Sequence, residues 1–150
     1  PYESLKKFMV EHGIPLERLE DNRSRILVVD DDPYYLDVVP AILAQKGDFE
    51  VYSASTGFDA GTQVVEHNPH LIILDIHLSD MDGRMVCKRV KSRPETRDTS
   101  ILAISGFIDD EEAEHLTDYG FDTYLKKPFK AEELMQEVDR LLTQPARNRG

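Results

Sequence analysis

Five short apolar runs alternate with helical patterns along this chain, and few folds accommodate that order. The runs are rich in β-branched residues, which is typical of strands. Parallel strands need a helical crossover between them, so a repeated strand-helix-strand order predicts a parallel sheet. The predicted strands span residues 26–29, 51–53, 71–74, 101–105 and 123–125.

Two of these runs, 26–29 and 71–74, are apolar without the alternation of a half-exposed strand. They should therefore be central strands that helices cover on both faces, in a three-layer α/β sandwich. Asp32 and Thr56 are expected to cap the helices that follow them. Pro40 predicts a kink or an early break in the first of these helices, because its ring clashes with a carbonyl of the preceding turn.

The size and composition of the chain indicate one globular domain with short extensions. It has 150 residues, of which 40% are hydrophobic, and no apolar run is long enough to cross a bilayer. We expect a helical extension or linker over 1–24, one domain over 25–143 and a flexible tail over 144–150. The only cysteine, Cys87, excludes an internal disulfide, and the lack of a signal peptide makes a cytoplasmic location the expectation.

The formal net charge is -11, and residues 25–143 carry 24 acidic and 12 basic residues. Such a segment should repel nucleic acid and anionic lipid, so we expect it to bind neither nucleic acid nor membrane. The charges are also segregated along the chain, which indicates either two solvated faces or an interaction surface. The basic cluster around the third predicted helix is Arg84, Lys88, Arg89, Lys91, Arg93 and Arg97, and the acidic cluster on the fourth is Asp109, Asp110, Glu111, Glu112, Glu114 and Asp118.

Polar side chains stand where four of the predicted strands end. Ligands of open parallel sheets bind at the carboxyl ends of the strands, so these side chains should meet in one pocket. The residues are Asp30, Asp31 and Asp32 after the first strand, Asp75 at the third, Ser105 at the fourth and Lys127 after the fifth.

Carboxylates gathered in one pocket repel each other unless a cation neutralises them. The candidate ligands are hard oxygens, which favours Mg²⁺, or else Mn²⁺, over zinc. Lys127 would place a second positive charge beside Asp75. A carboxylate between a metal ion and an ammonium group suits nucleophilic attack on phosphorus, and Ser105 could donate a hydrogen bond to a transferring oxygen.

Four motifs follow one another at these strand ends: Val28-Val29-Asp30-Asp31-Asp32, Leu74-Asp75 with Met81-Asp82-Gly83, Ile104-Ser105-Gly106, and Lys127-Pro128-Phe129. At this spacing residues 25–143 resemble the receiver domain of bacterial two-component response regulators. The resemblance implies a flavodoxin-like fold, a doubly wound five-stranded parallel sheet in the order 2-1-3-4-5. It also implies a phosphorylation-switched signalling domain that self-phosphorylates and self-dephosphorylates and is not a turnover enzyme.

The resemblance assigns a role to each residue that matches a family motif. Asp75 would accept the phosphoryl group and Lys127 would pair with it. Ser105 and Tyr124 would form the switch pair, and the bond between Lys127 and Pro128 would be cis. The implied protein ligands of Mg²⁺ are Asp30, Asp31, Asp75 and the backbone carbonyl of His77.

The resemblance also implies partners for this chain, although the sequence departs from the family pattern at one position. It implies a sensor histidine kinase or phosphotransfer protein as phosphodonor, and a homodimer through the last two helices and the fifth strand. Ser79 stands where the family usually has proline. The resemblance also implies that His77 and Phe107 occupy positions that tune how fast water removes the phosphoryl group.

Two other functions remain open at this point. A haloacid-dehalogenase-like phosphatase would use Asp30 as nucleophile and Asp32 as acid/base, although Tyr34 replaces the small residue usual in that motif. A pseudo-receiver would bind a protein partner constitutively, without phosphorylation. Phosphate on Asp75, on Asp30 or on neither residue would separate the three functions.

The N-terminal segment has Leu5, Phe8, Met9 and His12 at helical spacing, with Gly13 as a stop. A single amphipathic helix of this length must pack on something to be stable. Residues 5–15 are similar to the last helix of excisionase-like helix-turn-helix DNA-binding domains. That similarity would make the full protein a transcriptional regulator, and the alternative is a helical linker or docking extension.

Overall fold

The computed structural model of the chain describes residues 2–14 and 23–144. After the N-terminal helix α1 (Tyr2–Glu11), strands and helices alternate as the sequence predicts. The succession is β1 (Arg25–Val29), α2 (Pro33–Lys46), β2 (Glu50–Ala54), α3 (Gly57–His67), β3 (Leu71–Asp75), α4 (Gly83–Ser92), β4 (Ser100–Ser105), α5 (Asp110–Glu114), α6 (Leu116–Tyr119), β5 (Thr123–Lys126) and α7 (Ala131–Thr143).

The five strands form one parallel sheet in the order β2-β1-β3-β4-β5. This confirms the doubly wound, flavodoxin-like fold with β1 and β3 in the interior of the sheet. All five residues of β3 are buried, as is every residue of 26–29. A strand with helices on both faces has no solvent side, which is why these runs lack an alternating pattern.

Successive residues of the central strands pack into two separate cores, one on each face of the sheet. Leu27, Ile72 and Ile101 pack with residues of α3, α4 and α6. Ile26 and Ile73 lie on the opposite face and pack with residues of α2 and α7. The three-layer sandwich predicted from the sequence is therefore present.

Helix ends follow the predicted caps, but two helices differ from expectation. Asp32 accepts a hydrogen bond from the Tyr34 N–H, and Thr56 accepts one from the Asp59 N–H, so both predicted N-caps are confirmed. Of the two outcomes expected at Pro40, a kink or an early break, the early break is wrong, since α2 continues through this residue to Lys46. The fourth predicted helix is divided at His115, whose N–H bonds to Glu112 O three residues back.

The N-terminal helix ends as predicted, with Gly13 following it at a φ of +69°. Met9 is buried, whereas Leu5 and Phe8 are about half exposed. Pro15, the last residue of the excisionase-like similarity, and residues 145–150 of the expected flexible tail lie outside the described part of the chain. Within the described residues, no helix is long and apolar enough to cross a membrane.

Helix α3 ends at His67, and Asn68, which caps it, is a left-handed residue with φ 45° and ψ 64°. Asparagine tolerates this conformation better than residues with larger or branched side chains, and glycine tolerates it best. We expect Asn68→Ala to lower the free energy of unfolding by about 1 kcal/mol. Asn68→Gly should stay within a few tenths of a kcal/mol of the parent in urea titration. Equal losses in the two variants would contradict a conformational origin.

Candidate functional site

Four polar residues meet at one edge of the sheet because their parallel strands all end there. Asp30 follows β1, Asp75 ends β3, Ser105 ends β4 and Lys127 follows β5. The order β1-β3-β4-β5 makes these ends neighbours. Asp75, Ser105 and Lys127 border an open cavity of about 340 Å³, whereas Asp30 is fully buried. The cavity is also lined by Asp31, Asp32, Tyr35, His77, Gly106 and Phe107.

Lys127 joins the two buried carboxylates of this site. Its Nζ lies 2.8 Å from Asp30 Oδ2 and 3.0 Å from Asp75 Oδ2. The Tyr35 ring adds a cation-π contact, with its centroid 4.1 Å from the same nitrogen. Ion pairs that are removed from water are screened little by salt, so Lys127 fixes both carboxylates firmly.

Backbone amides hold the second oxygen of each carboxylate. Asp30 Oδ1 accepts a hydrogen bond of 2.9 Å from the Asp32 N–H. Asp75 Oδ1 accepts one of the same length from the His77 N–H. Because each carboxylate is bound at both oxygens, the loops after β1 and β3 determine its orientation.

The pKa values of Asp30 and Lys127 are both raised, for different physical reasons. Burial raises the pKa of Asp30 to about 6, and the nearby charge of Asp75 raises it further, against the lowering effects of Lys127 and the Asp32 N–H. Burial also disfavours the charged ammonium of Lys127, but the two carboxylates outweigh it and hold its pKa above the ordinary value. The site therefore contains a permanent cation between two carboxylates that repel each other.

The acidic residues of the site fit a hard divalent cation. One carboxylate oxygen from each of Asp30, Asp31 and Asp75 lies within 4.8 Å of the others. All three donors are oxygens, and Asp31 is exposed and lines the cavity. Three carboxylates with one lysine leave negative charge that a cation such as Mg²⁺ could neutralise.

Ser105 and Tyr124 lie near each other in the sheet, on neighbouring strands. Ser105 is fully buried, and its Oγ accepts a hydrogen bond of 3.2 Å from the Phe107 N–H. The Tyr124 hydroxyl is buried without a hydrogen-bond partner among the described residues. Neither hydroxyl is bound to the other, so both are available for new hydrogen bonds if the site changes.

The structure thus brings Asp30, Asp31, Asp75, Ser105 and Lys127 together at the predicted sheet edge. Tyr124 lies on β5, and strand β4 separates β5 from β3, which carries Asp75. The bond between Lys127 and Pro128 is cis.

The His77 side chain makes a contact that the sequence did not predict. Its Nε2 lies 2.8 Å from the carbonyl oxygen of Phe107, so it joins the loops after β3 and β4 across the cavity. Phe107 itself is 86% exposed at the mouth. Only the fold reveals this pair, because the two residues are 30 positions apart.

Two further contacts were missed from the sequence, one in the site and one in the loop after β3. Tyr35 lies in the first turn of α2, and its ring contact with Lys127 depends on how that helix packs. Asp80 accepts hydrogen bonds from the Gly57 and Phe58 N–H groups at the start of α3. The only sequence signal for Asp80 is its place in the acidic loop after β3, which does not identify a partner.

Known proteins resemble this chain in both sequence and fold. Residues 26–139 match the family described as the response regulator receiver domain. The DNA-binding dual master transcriptional regulator RpaA of Synechocystis is 36% identical over 118 residues, which are 79% of this chain and 48% of RpaA. The regulatory protein VanRB of Enterococcus faecalis is also 36% identical over 118 residues, which are 79% of this chain and 52% of VanRB. The chain therefore spans about half the length of these two relatives.

A solved structure gives the same picture. The signal receiver domain of a DNA-binding response regulator protein (merR) from Colwellia psychrerythraea superposes with a TM-score of 0.76 at 27% identity, covering 81% of this chain and 99% of that domain. On these grounds the chain belongs to the response regulator receiver domains of two-component signalling systems.

Proposed function

We propose that this receiver domain accepts a phosphoryl group on Asp75 from the phosphohistidine of a sensor histidine kinase or phosphotransfer protein. One observation carries the choice of Asp75. Both buried carboxylates pair with Lys127, but Asp30 is 0% exposed while Asp75 is 5% exposed and lines the cavity. An incoming phosphorus atom can reach only a carboxylate with an open side. The chain then acts as a signalling module and not as a turnover enzyme.

In the proposed reaction one oxygen of Asp75 attacks the phosphorus in line with the nitrogen of the phosphohistidine. The new oxygen–phosphorus bond forms as the nitrogen–phosphorus bond breaks, and the departing imidazole recovers a proton from solvent. Lys127 Nζ, 3.0 Å from Asp75 Oδ2, is placed to stabilise negative charge on the transferring oxygens. The Ser105 hydroxyl, at the end of the adjacent strand, can donate a hydrogen bond to another of them.

The carboxylates of Asp30, Asp31 and Asp75 and the carbonyl of His77 would hold Mg²⁺, or Mn²⁺ in its place. The bound cation would supply charge neutralisation for the incoming phosphoryl group. Within this set Asp30 is fixed by Lys127 and a backbone amide, so it provides a rigid ligand. Asp31 is exposed and can adapt its side chain to the ion.

We propose that phosphorylation shifts the population between two conformations of the domain. The Ser105 hydroxyl would donate a hydrogen bond to a phosphoryl oxygen and turn toward it, which would weaken the hydrogen bond that its oxygen now accepts from the Phe107 N–H, and the unpartnered Tyr124 hydroxyl would gain freedom to move. These changes would pass to the last two helices and β5, where a homodimer could form. Residues 25–143 themselves are proposed not to contact nucleic acid, because of their negative charge.

The output of the whole protein is a separate proposal. RpaA, by its description, is a DNA-binding transcriptional regulator, and this chain aligns with about half of it. The helix α1 and the similarity of residues 5–15 to an excisionase-like helix support an output in transcription.

The family match favours the receiver over the haloacid-dehalogenase-like phosphatase.

Incubation with acetyl phosphate and Mg²⁺ tests the proposed phosphoacceptor. We expect one phosphoryl group per chain by intact mass, mapped to Asp75 by peptide analysis, and no adduct in Asp75→Asn or in the presence of a chelator. Asp37→Asn is the matched control, because Asp37 is an exposed carboxylate on α2. An adduct on Asp30 would support the phosphatase instead. No adduct on the wild type would indicate a constitutive binding module.

A further inference from the structure

An open groove runs between helices α3 and α4, away from the carboxylate site. One part of it is a cavity of about 330 Å³ that begins at Gly57 and Met81. A second cavity of about 360 Å³ continues it to Asn68 and Glu95. Since a helix rises about 1.5 Å per residue, the stretch from Gly57 to Asn68 makes the groove about 16 Å long, or three helical turns. We call both cavities together the α3–α4 groove.

The groove is open because a glycine faces it. Gly61 lines the groove and is exposed, and a Cβ at this position would meet no atom within 4 Å. Val64, Val86 and Val90 also line it, and each is at most 4% exposed, so the floor of the groove is apolar. An apolar recess of this kind can bury one large side chain of a partner, and such anchors dominate the energy of protein interfaces.

Exposed apolar side chains accompany the groove along α3. Val65 lines it and is 61% exposed, and Phe58 is 77% exposed. These two residues lie seven positions apart, about two helical turns, so they project from the same side of α3. Gly61 lies between them on that side, which joins the recess and the two side chains into one apolar surface. Continuous exposed apolar surface of this kind indicates an interaction site.

The α4 side of the groove is positively charged. Arg89 and Arg93 line it, are exposed, and lie four positions apart, so they are neighbours on this side. In the part of the chain that the structure describes, neither guanidinium group has an acidic partner. Helix α4 has four basic residues and no acidic one, so the local charge is opposite to the net charge of -11. An acidic residue, Glu95, lines the groove only at its far end.

We infer that the α3–α4 groove binds an amphipathic helix of a partner protein, with apolar side chains in the groove and carboxylates on Arg89 and Arg93. A groove three turns long fits the apolar stripe of such a helix, whose anchors recur at positions i, i+4 and i+7. The two guanidinium groups select carboxylates on the flank that faces α4. The groove shares no lining residue with the carboxylate cavity, so this binding does not rest on phosphorylation of Asp75.

Two fluorescein-labelled peptides test the groove by fluorescence anisotropy with the full chain. Each has about 20 residues, enough to form a helix, with leucines at positions i, i+4 and i+7. One peptide carries glutamates along a flank of the leucine stripe, and the other carries lysines in their place. The net charge of -11 favours the lysine peptide, whereas the groove should bind the glutamate peptide roughly tenfold more tightly. The sign of the preference therefore separates binding in the groove from general attraction.

Two variants of the chain change the groove itself. Gly61→Leu fills the recess, and Arg89→Glu with Arg93→Glu reverses the charge of the α4 side. Each should weaken binding of the glutamate peptide by roughly tenfold, at an ionic strength of about 0.15 M. The charge-reversed variant should in addition prefer the lysine peptide.

Each variant has a matched control outside the groove. Gln136→Leu adds an exposed leucine on α7 and is the control for the filled recess. Lys46→Glu with Lys126→Glu reverses two exposed charges elsewhere and is the control for the arginines. Both controls should bind the glutamate peptide within about twofold of the wild type, because exposed charges more than a Debye length away are largely screened.

Amide NMR spectra of the isotope-labelled chain locate the bound peptide. The glutamate peptide should shift resonances of residues 57–68 and 86–96 and leave those of β5 and α7 in place. Circular dichroism of each variant, matched to that of the wild type, ensures that loss of binding is not loss of folding.

Several results would overturn the inference. A wild type that prefers the lysine peptide, a groove variant that binds like its control, or shifts confined to another face of the domain would each contradict binding in the groove. Self-association of the wild type in sedimentation velocity that Gly61→Leu abolishes would show that a second copy, and not a partner helix, occupies it.

Discussion

Replacing Gly83 with alanine is expected to lower the free energy of unfolding by about 3 kcal/mol, at the upper end of the cost of overpacking a core. Gly83 begins α4 and donates a hydrogen bond of 2.6 Å to Ile76 O. A Cβ at this position would overlap the carbonyl oxygen of Asp75 and lie 2.8 Å from Ile76 Cα. Both neighbours are backbone atoms, so no side-chain rotation can relieve the clash.

Gly61 provides a matched control for this substitution. It lies inside α3, and a Cβ there would meet no atom within 4 Å. Gly61→Ala should therefore raise the free energy of unfolding by about 0.5 to 1 kcal/mol, since alanine is the better helix former. Urea titrations of both variants measure the difference. Equal stability of Gly83→Ala and the wild type would contradict the close approach of α4 to the strand that carries Asp75.

The fold was predictable because the central strands have a distinctive apolar pattern in the sequence. The runs 26–29 and 71–74 are apolar on both faces, and only a central strand of a parallel sheet requires that. The predicted strands β1 and β2 each began one residue too late, because the hydrogen bonding between them extends beyond the apolar residues. Arg25 pairs with Glu50 in the register of these two strands, although neither residue is apolar.

Helix continuity at Pro40 could not be predicted from local preference. Proline lacks an N–H, so it forfeits the hydrogen bond to the preceding turn. Val39 and Leu43, on either side of it, are both fully buried between the sheet and α7. Their packing stabilises the helix enough to outweigh the lost bond, and such tertiary contacts are not visible in the sequence.

The composition of the site was predictable, whereas its internal contacts were not. Strand order alone brings Asp30, Asp75 and Lys127 to one edge of the sheet. Which carboxylate lies open to the cavity depends on how the loops after β1 and β3 fold. The bond between His77 and Phe107 and the ring of Tyr35 beside Lys127 arise from the same loops and from helix packing.

Replacing Asp30 with asparagine is expected to make the order of stability of variant and wild type depend on Mg²⁺. In a chelator at neutral pH the variant should be more stable than the wild type by about 1 to 3 kcal/mol. Burial and Asp75 raise the pKa of Asp30 to about 6, from an ordinary value near 3.8. The unfolded chain therefore releases this proton more readily than the folded one, so an ionised Asp30 costs stability at neutral pH, and the neutral amide removes that cost. The lost attraction to Lys127 subtracts part of the gain.

Saturating Mg²⁺ should favour the wild type instead. A ligand that binds only the folded state adds about 4.1 kcal/mol at roughly 1,000 times its dissociation constant, which exceeds the advantage expected for the variant in chelator. The wild type offers three carboxylates to the ion, and Asp30→Asn leaves two, so most of this increment should be lost. Thermal unfolding of both proteins, with and without Mg²⁺, should therefore show the order of stability invert.

Asp37→Asn separates this effect from a general change of charge. It removes the same charge from an exposed position on α2, so it should follow the wild type in both conditions. A variant Asp30→Asn that is less stable than the wild type in chelator would show that the ion pair with Lys127 outweighs the cost of burial. If Mg²⁺ stabilises that variant as much as the wild type, Asp30 is not a ligand of the ion. Inversion of the order would show that the buried carboxylate costs stability in the metal-free fold and is required for metal binding.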